Sequence, residues 1–347
     1  MNYLFLYTRL PMYFYKCIEY LVEKYDTSVK ATIVVYPQDD NSPHAIPEHP
    51  AITVITKNDF TKGNLQQLNP AMIYKAGWGD KYYNELTKDY RNRIPVVVGL
   101  DNLWENTVRQ KIACLIARWL IKPRASHLWV AGPPQRSYAH KLSYNDNEII
   151  EHLYCADLSN FQVKELKSVK QILFIGRFVE YKRPHWLVKA FTELLVEYPQ
   201  LGDWTLKLVG NGPTKQLLET EYTHANICYM NFVEPAGLAE LYADSSIFCL
   251  PSHNEHWGVV VHEAAATGQA LLLSDTCGAA SVFLEDKNNG RVFSSGSYEH
   301  FRECLYDLMT TREEVLEKYR YNSIKKSKLI THEKWCESIT SLTHAKT

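Results

Sequence analysis

The stretch SIFCLPSHNEHWGVVVHEAAATGQALLLSD, Ser246 to Asp275, holds the architecture of the chain in miniature. It opens on a short apolar run, SIFCLP, of the kind that fills a buried strand, and closes on a second, ALLLSD. Between them Gly258 permits a tight turn, and VVVHEAAATG has the alanine content of a buried helix ended by Gly268. Strand, loop, helix and strand in that order form the unit from which parallel sheets are built. The same stretch carries two glutamates, Glu255 in the loop and Glu263 in the helix, in an E-x7-E spacing. Glu263 stands among Val261, Ala264, Ala265 and Ala266, where an unpaired carboxylate is costly; either an Arg or Lys meets it, or the hydroxyls of a ligand do. At the helix start, free N–H groups from Trp257 to Val260 and the positive dipole end make a ready anion site. A ligand with both hydroxyls and anionic charge, such as a sugar diphosphate, suits that pairing.

The alternation extends in both directions. In the first half, strands are predicted near YLFLYT (Tyr3), ATIVVY (Ala31), AITVIT (Ala51), AMIYKA (Ala71), PVVVGL (Pro95), HLWVAG (His127) and EIIEHLY (Glu148). The polar segment CADLSNFQVKELKSVKQ, Cys155 to Gln171, lacks an apolar period and is placed as the linker. A second series follows with QILFIG (Gln171), WTLKLVG (Trp204), ICYMNF (Ile227), SIFCLPS, ALLLSD and GRVF (Gly290), and helices start near Pro184, Pro213, Pro235 and Gly258. The class is α/β: two Rossmann-like domains facing a cleft, with a nucleotide at the carboxyl ends of the strands.

Composition narrows the functions. Lys and Arg number 38 against 39 Asp and Glu in 347 residues, so no global field draws nucleic acid. Eight cysteines, scattered without a CxxC pair and mostly in apolar runs, suit a reduced, cytoplasmic protein. The apolar start MNYLFLYTRLPMYFYKC lacks a basic n-region and a small-residue cleavage site, and fits a first strand better than a signal peptide. No run of apolar residues is long enough to span a membrane, which leaves a peripheral helix open. His127, His140 and His152 show no metal spacing and are expected to be packed or at the surface.

In ILFIGRFVEYKRPHWLVKAF a strand ends at Gly176, and Arg177 and Lys182 follow before a helix with Pro184 in its first turn. Cations at a strand's carboxyl end either hold phosphate oxygens or are solvated loop charges. In LVGNGP, Gly210 and Gly212 allow close backbone approach, but without a third glycine they do not make a dinucleotide fingerprint.

Read in order, FIGRFVEYK, LVGNGP, NFVEPAGLAELYADSSIFCLPS, NEHWGVVVHEAAATG and SDTCGAASVFLEDKNNGRVF resemble the donor domain of glycosyltransferase family 4, a retaining family with the GT-B fold. The resemblance covers about half of the chain, and Glu255 and Glu263 fit its paired-glutamate motif. It implies an acceptor-binding domain over residues 1–160, a nucleotide-sugar-binding domain over 161–330, and a C-terminal helix over 331–347 packing back on the first. By the same resemblance Glu255 would hold hydroxyls of the transferred sugar, Glu263 the ribose hydroxyls, and Arg177 with Lys182 the diphosphate. Phe232 and Val233 would meet the base through their backbone. His256, Trp257, Gly258 and Val259 would wrap sugar and phosphates, with Gly176, Asn211 and Gly212 lining the donor site. No cofactor is implied: a UDP-sugar or GDP-sugar is the donor substrate. No DxD occurs, so Arg177, Lys182 and the helix start would stand in for a divalent metal.

The first half departs from the family. YTRLPMYFY replaces the usual glycine-rich loop after the first strand, and VVVGLDNLW places Asp101 and Asn102 where a His is common. Asp101 either reaches the donor sugar or acceptor, or caps the helix before LWENTVRQ. In KAGWGDKYYNEL, Trp78, Tyr82 and Tyr83 either line an acceptor groove or pack in the core. From Asn106 to Asn145 there is no Asp or Glu, while Arg109, Lys111, Arg118, Lys122, Arg124, Arg136 and Lys141 supply seven positive charges. Within it RQKIACLIARWLIKPR is either a buried helix with solvated ends or an interfacial helix on an anionic membrane surface. The resemblance favours the second, because such transferases often extend lipid-linked saccharides at the cytoplasmic leaflet, in surface polysaccharide or glycoconjugate synthesis.

Three rivals make different demands. A GT-B epimerase or phosphorylase would use similar phosphate contacts without an acceptor saccharide. A nicotinamide oxidoreductase needs GxGxxG after a strand and an acidic residue at the expected distance, which this chain lacks. A non-catalytic sugar-nucleotide-binding partner in a polysaccharide assembly complex has no need of both glutamates.

Overall fold

The branched and aromatic runs become strands, and every pairing between them is parallel. The computed structural model describes residues 1–37, 46–161, 166 and 169–344. The expected linker is therefore described in part, since residues 162–165 and 167–168 lie outside the described residues. The chain divides into two units, Met1–Cys155 with Ile330–Thr347, and Ala156–Leu329.

The first unit holds β1 (Asn2–Leu6), β2 (Lys30–Val35), β3 (Ile52–Thr56), β4 (Met72–Lys75), β5 (Val96–Leu100), β6 (His127–Val130) and β7 (Ile149–Ile150), in the order β3-β2-β1-β4-β5-β6-β7. Its helices are α1 (Met12–Tyr20), α2 (Lys62–Leu68), α3 (Lys81–Thr87), α4 (Val108–Leu120) and α5 (Pro133–Lys141). The second unit holds β8 (Gln171–Ile175), β9 (Thr205–Val209), β10 (Ile227–Met230), β11 (Ile247–Leu250), β12 (Ala270–Ser274) and β13 (Gly290–Phe293), in the order β10-β9-β8-β11-β12-β13. Its helices are α6 (Pro184–Glu197), α7 (Lys215–Glu221), α8 (Pro235–Ala243), α9 (Val259–Ala266), α10 (Ala280–Phe283), α11 (Tyr298–Thr310) and α12 (Glu313–Ser327). The last helix, α13 (His332–His344), belongs to the first unit. There Trp335 is fully buried, 4.9 Å from the Trp129 ring and edge-on to Phe14, and its indole N–H donates to the Leu153 carbonyl at 3.1 Å.

Both sheets are doubly wound. Strand order reverses between β1 and β4 in one and between β8 and β11 in the other, so each opens a crevice at the carboxyl ends of that strand pair. One expected strand shrinks: of EIIEHLY, Ile149 and Ile150 alone pair with β6. Glu148 ends a 3-10 turn capped by Asn145, and His152 adopts φ 66°, a left-handed conformation that ends the extended run.

Candidate active site

At the switch point of the second unit, the loops after β8 and β11 meet. Lys182 ends a short 3-10 turn after β8, and its Nζ lies 2.5 Å from Glu255 Oε2, with only 12% and 14% of the two side chains exposed. Ser252 Oγ donates to the same carboxylate oxygen at 3.1 Å. The Glu255 backbone is itself pinned: its N–H donates to the Thr276 carbonyl (3.2 Å) and its carbonyl accepts from Gly278 (2.9 Å). A cation and a carboxylate from separate loops are thus presented together. Arg177, one residue beyond Gly176, is exposed and has no carboxylate partner among the described residues.

The glycines of LVGNGP have a structural cause. Gly210 has φ 140°, and a Cβ there would stand 2.0 Å from the Gly176 carbonyl oxygen; one on Gly212 would stand 2.3 Å from that of Phe178. Phe178 N–H donates to the Asn211 carbonyl at 3.0 Å, and Thr214 N–H to the Phe178 carbonyl at 3.2 Å. Backbone meets backbone here. Around the next strand end Phe232 is 53% exposed and Val233 half-buried.

α9 starts at Val259 behind Gly258 (φ 92°), and among the described residues no side chain caps its first N–H groups. His256 and Val259 are half-buried beside that start. Trp257 is 3% exposed and packs edge-on against Phe283, and its carbonyl accepts from the Ala279 N–H (3.0 Å) and from Cys277 Sγ (3.4 Å).

Glu263 is met by neither Arg nor Lys among the described residues. Tyr242 donates to its Oε2 at 3.0 Å, and burial lifts the carboxyl to about 7, opposed by that hydrogen bond and reinforced by Asp157. Tyr242 itself is fully buried. Twenty-one residues separate the two in sequence, and no local pattern announces the pair.

The strand ends of the first unit are lined by tyrosines. Tyr7, after β1, lies 3.3 Å from Tyr74 Oη, and Tyr13 stands edge-on to Tyr154 at 5.6 Å. Burial pushes all four phenols well up. Tyr154 donates to Asp101 Oδ2 at 3.0 Å, and Gln135 Nε2 to the Asp101 carbonyl at 2.9 Å. Asp101 is no helix cap: α4 is capped by Thr107 in a reciprocal box with Gln110. Lys75, ending β4, is fully buried and donates to Asn84 Oδ1 (2.8 Å), the Arg124 carbonyl (2.8 Å) and Thr87 Oγ1 (3.3 Å); burial pulls its ammonium down to about 8. Tyr83 is a core residue bonded to the Tyr7 and Val34 carbonyls, Trp78 packs partly buried on the core, and Tyr82 lies at the surface.

Among the histidines, His127 meets Ser126 Oγ (2.9 Å) and His140 the Tyr144 carbonyl (3.1 Å), while burial lowers the His127 and His152 pKa values. The chain does bring Cys17, Cys155 and His332 within 4.8 Å of one another, a grouping invisible in their spacing. The buried-helix reading of α4 does not hold: Leu115 and Trp119 are 74% and 75% exposed.

These two doubly wound sheets in one chain make the GT-B fold. The crystal structure of Anabaena HepE, in complex with UDP and glucose, matches 100% of this chain and 100% of its own at a TM-score of 0.73 and 15% identity. Within that fold the C-terminal half, residues 157–326, matches the family described as "Glycosyl transferases group 1". An uncharacterized glycosyltransferase of Haemophilus influenzae is 31% identical over 148 residues, 42% of this chain and 41% of that protein. A D-inositol 3-phosphate glycosyltransferase of Kribbella flavida is 28% identical over 155 residues, 41% of this chain and 36% of its own. The chain therefore matches less than half the length of these curated relatives. No helix among the described residues is long and apolar enough to cross a membrane.

Proposed function

We propose that the chain is a retaining, metal-independent hexosyltransferase of glycosyltransferase family 4, moving a sugar from a nucleoside diphosphate sugar to a saccharide acceptor. The observation that carries this reading is the Lys182–Glu255 pair at the β8/β11 switch point, beside the uncapped start of α9. A bound diphosphate draws Lys182 and Arg177 to its oxygens, leaving Glu255 to accept from sugar hydroxyls. Glu263 accepts from the ribose, and the backbone of Phe232 and Val233 meets the base. The HepE complex with UDP and glucose supports UDP as the diphosphate, with GDP the other candidate.

Breaking the glycosidic C–O bond puts negative charge on the departing diphosphate and positive character on the sugar. Arg177, Lys182 and the α9 N–H groups stabilise the first of these, and being preorganised they act without solvent rearrangement. The acceptor hydroxyl attacks from the leaving-group face, and its proton passes to the diphosphate, so the anomeric configuration is retained. Asp101, held by Tyr154 and Gln135, is assigned to acceptor or donor-sugar contact within the N-terminal acceptor-binding unit. The acceptor is read as lipid-linked, met at the cytoplasmic face of a membrane in surface polysaccharide or glycoconjugate synthesis; the exposed apolar face of α4 supports that.

Incubation with UDP-sugars and GDP-sugars in EDTA, followed by NMR of the products, tests the reading. Transfer with retained anomeric configuration is expected. Inversion, or activity lost in EDTA and restored by Mg²⁺ or Mn²⁺, would overturn the mechanism, and epimerised or phosphorolysed donor without transfer would favour the rival enzymes.

A further inference from the structure

α4 is amphipathic in the wrong sense for a core helix. Its sheet side is made of small residues: Ala117 is fully buried and Cys114 packs partly against the cluster of Val98, Leu128 and Val130. Its large apolar residues, Val108, Ile112, Leu115, Ile116, Trp119 and Leu120, are all exposed. Their spacing places them on one face, with Trp119 a further turn along from Leu115. Scattered apolar side chains at a surface need no explanation, but a contiguous stripe marks an interaction site.

The charge around that stripe says what covers it. Arg109, Lys111 and Arg118 are exposed on the same helix, and no carboxylate pairs with them among the described residues. Where the helix ends, a groove of about 670 Å³ is lined by Lys88, Arg91, Asn92, Arg118, Lys122 and Pro123. Glu85 meets Lys88 (2.7 Å) and Glu148 meets Lys122 (2.8 Å), which leaves Arg91 and Arg118 as cations without a carboxylate among the described residues. Arg91 Nε donates to the Lys122 carbonyl at 2.6 Å, which fixes the guanidinium at the groove wall. A second copy of the chain would bring like charges together across this face. An anionic lipid surface supplies both complements, acyl chains for the stripe and phosphates for the cations.

We infer that α4 lies in the interface of an anionic membrane, its apolar stripe inserted and the Lys88–Arg91–Arg118–Lys122 groove seated on lipid headgroup phosphates. This deepens the membrane-surface part of the proposed function and rests on it. The two halves of the surface answer to different variables, since insertion is indifferent to salt whereas phosphate contact is screened.

Flotation of the full chain with phosphatidylcholine vesicles, with and without phosphatidic acid, tests this. Capture is expected on the anionic vesicles at low salt and should fade as salt rises. Leu115→Asp with Trp119→Ala should abolish capture at every salt concentration, and Lys88→Glu with Arg118→Glu should weaken it roughly fivefold per reversed charge at low salt. Both variants should keep a folded spectrum and wild-type UDP-sugar hydrolysis, so failure here is separable from failure of the transferase reading. Equal recovery on neutral and anionic vesicles would overturn the inference. So would unchanged capture by the stripe variant, or self-association in vesicle-free solution that Leu115→Asp dissolves, which would make a second copy the occupant.

Discussion

The two units share one architecture and spend their strand ends differently. In the first, the cation that ends a central strand, Lys75, is buried and bonded to three acceptors, and Tyr7, Tyr13, Tyr74 and Tyr154 gather at the strand ends. In the second, Arg177 is exposed after β8 and, among the described residues, Lys182 is held by a single carboxylate and Glu263 has one hydroxyl partner. The fold is indifferent to this; the chemistry sits in side chains that the strand ends happen to carry. A cation satisfied by three protein acceptors serves stability, whereas one paired with a partly exposed carboxylate can be shared with a ligand.

The largest effect is expected at Lys182. Lys182→Ala should lower transfer on the order of 10²-fold or more, as removal of a preorganised donor does. Because Lys182 touches Glu255, the double variant with Glu255→Ala should fall well short of the sum of the single effects, read from a cycle of kcat/KM values. Additive losses would mean the pair does not act as a unit.

In the first unit Asp101→Asn should cost roughly tenfold in transfer, the size of one charge-assisted hydrogen bond, and leave UDP affinity unchanged by calorimetry. Weaker UDP binding in that variant would move Asp101 into the nucleotide site.

The smallest effect is a pH dependence at Glu263. Its carboxyl sits near 7 in the folded chain, above its ordinary 4.5. Its contribution to stability is therefore fully present below the unfolded value and is lost as pH rises toward and through 7. Thermal midpoints from pH 5 to 8 should show the parent losing ground against Glu263→Gln. UDP affinity should rise over the same interval, because the ionised carboxylate is the better acceptor for ribose hydroxyls, and the Gln variant should lack that rise. Parallel curves for both proteins would remove Glu263 from the binding equilibrium.

Much of the fold was legible because it rests on local signals. Pro184 and Pro235 open α6 and α8, Gly258 and Gly268 bracket α9, and GRVF is β13 to the residue. The missed helix start at Thr107 was also local, since Thr107 and Gln110 have capping-box spacing. What stayed hidden depends on tertiary contact. α4 turns Ala117 and Cys114 to the sheet and leaves Leu115 and Trp119 exposed, a choice to which composition is blind. The partners of Glu263 and Asp101, Tyr242 and Tyr154, arrive from distant segments, as do Cys155 and His332 beside Cys17.

In the proposed donor complex the two glutamates of the second unit stand at opposite ends of one nucleoside diphosphate sugar. Calorimetric titration of UDP into Glu255→Ala and Glu263→Ala tests it most directly. Glu255→Ala is expected to bind UDP with affinity close to the parent's although sugar transfer is lost, and Glu263→Ala to bind UDP markedly more weakly. Equal UDP affinity in folded Glu263→Ala and the parent would contradict it, as would loss of UDP binding in Glu255→Ala.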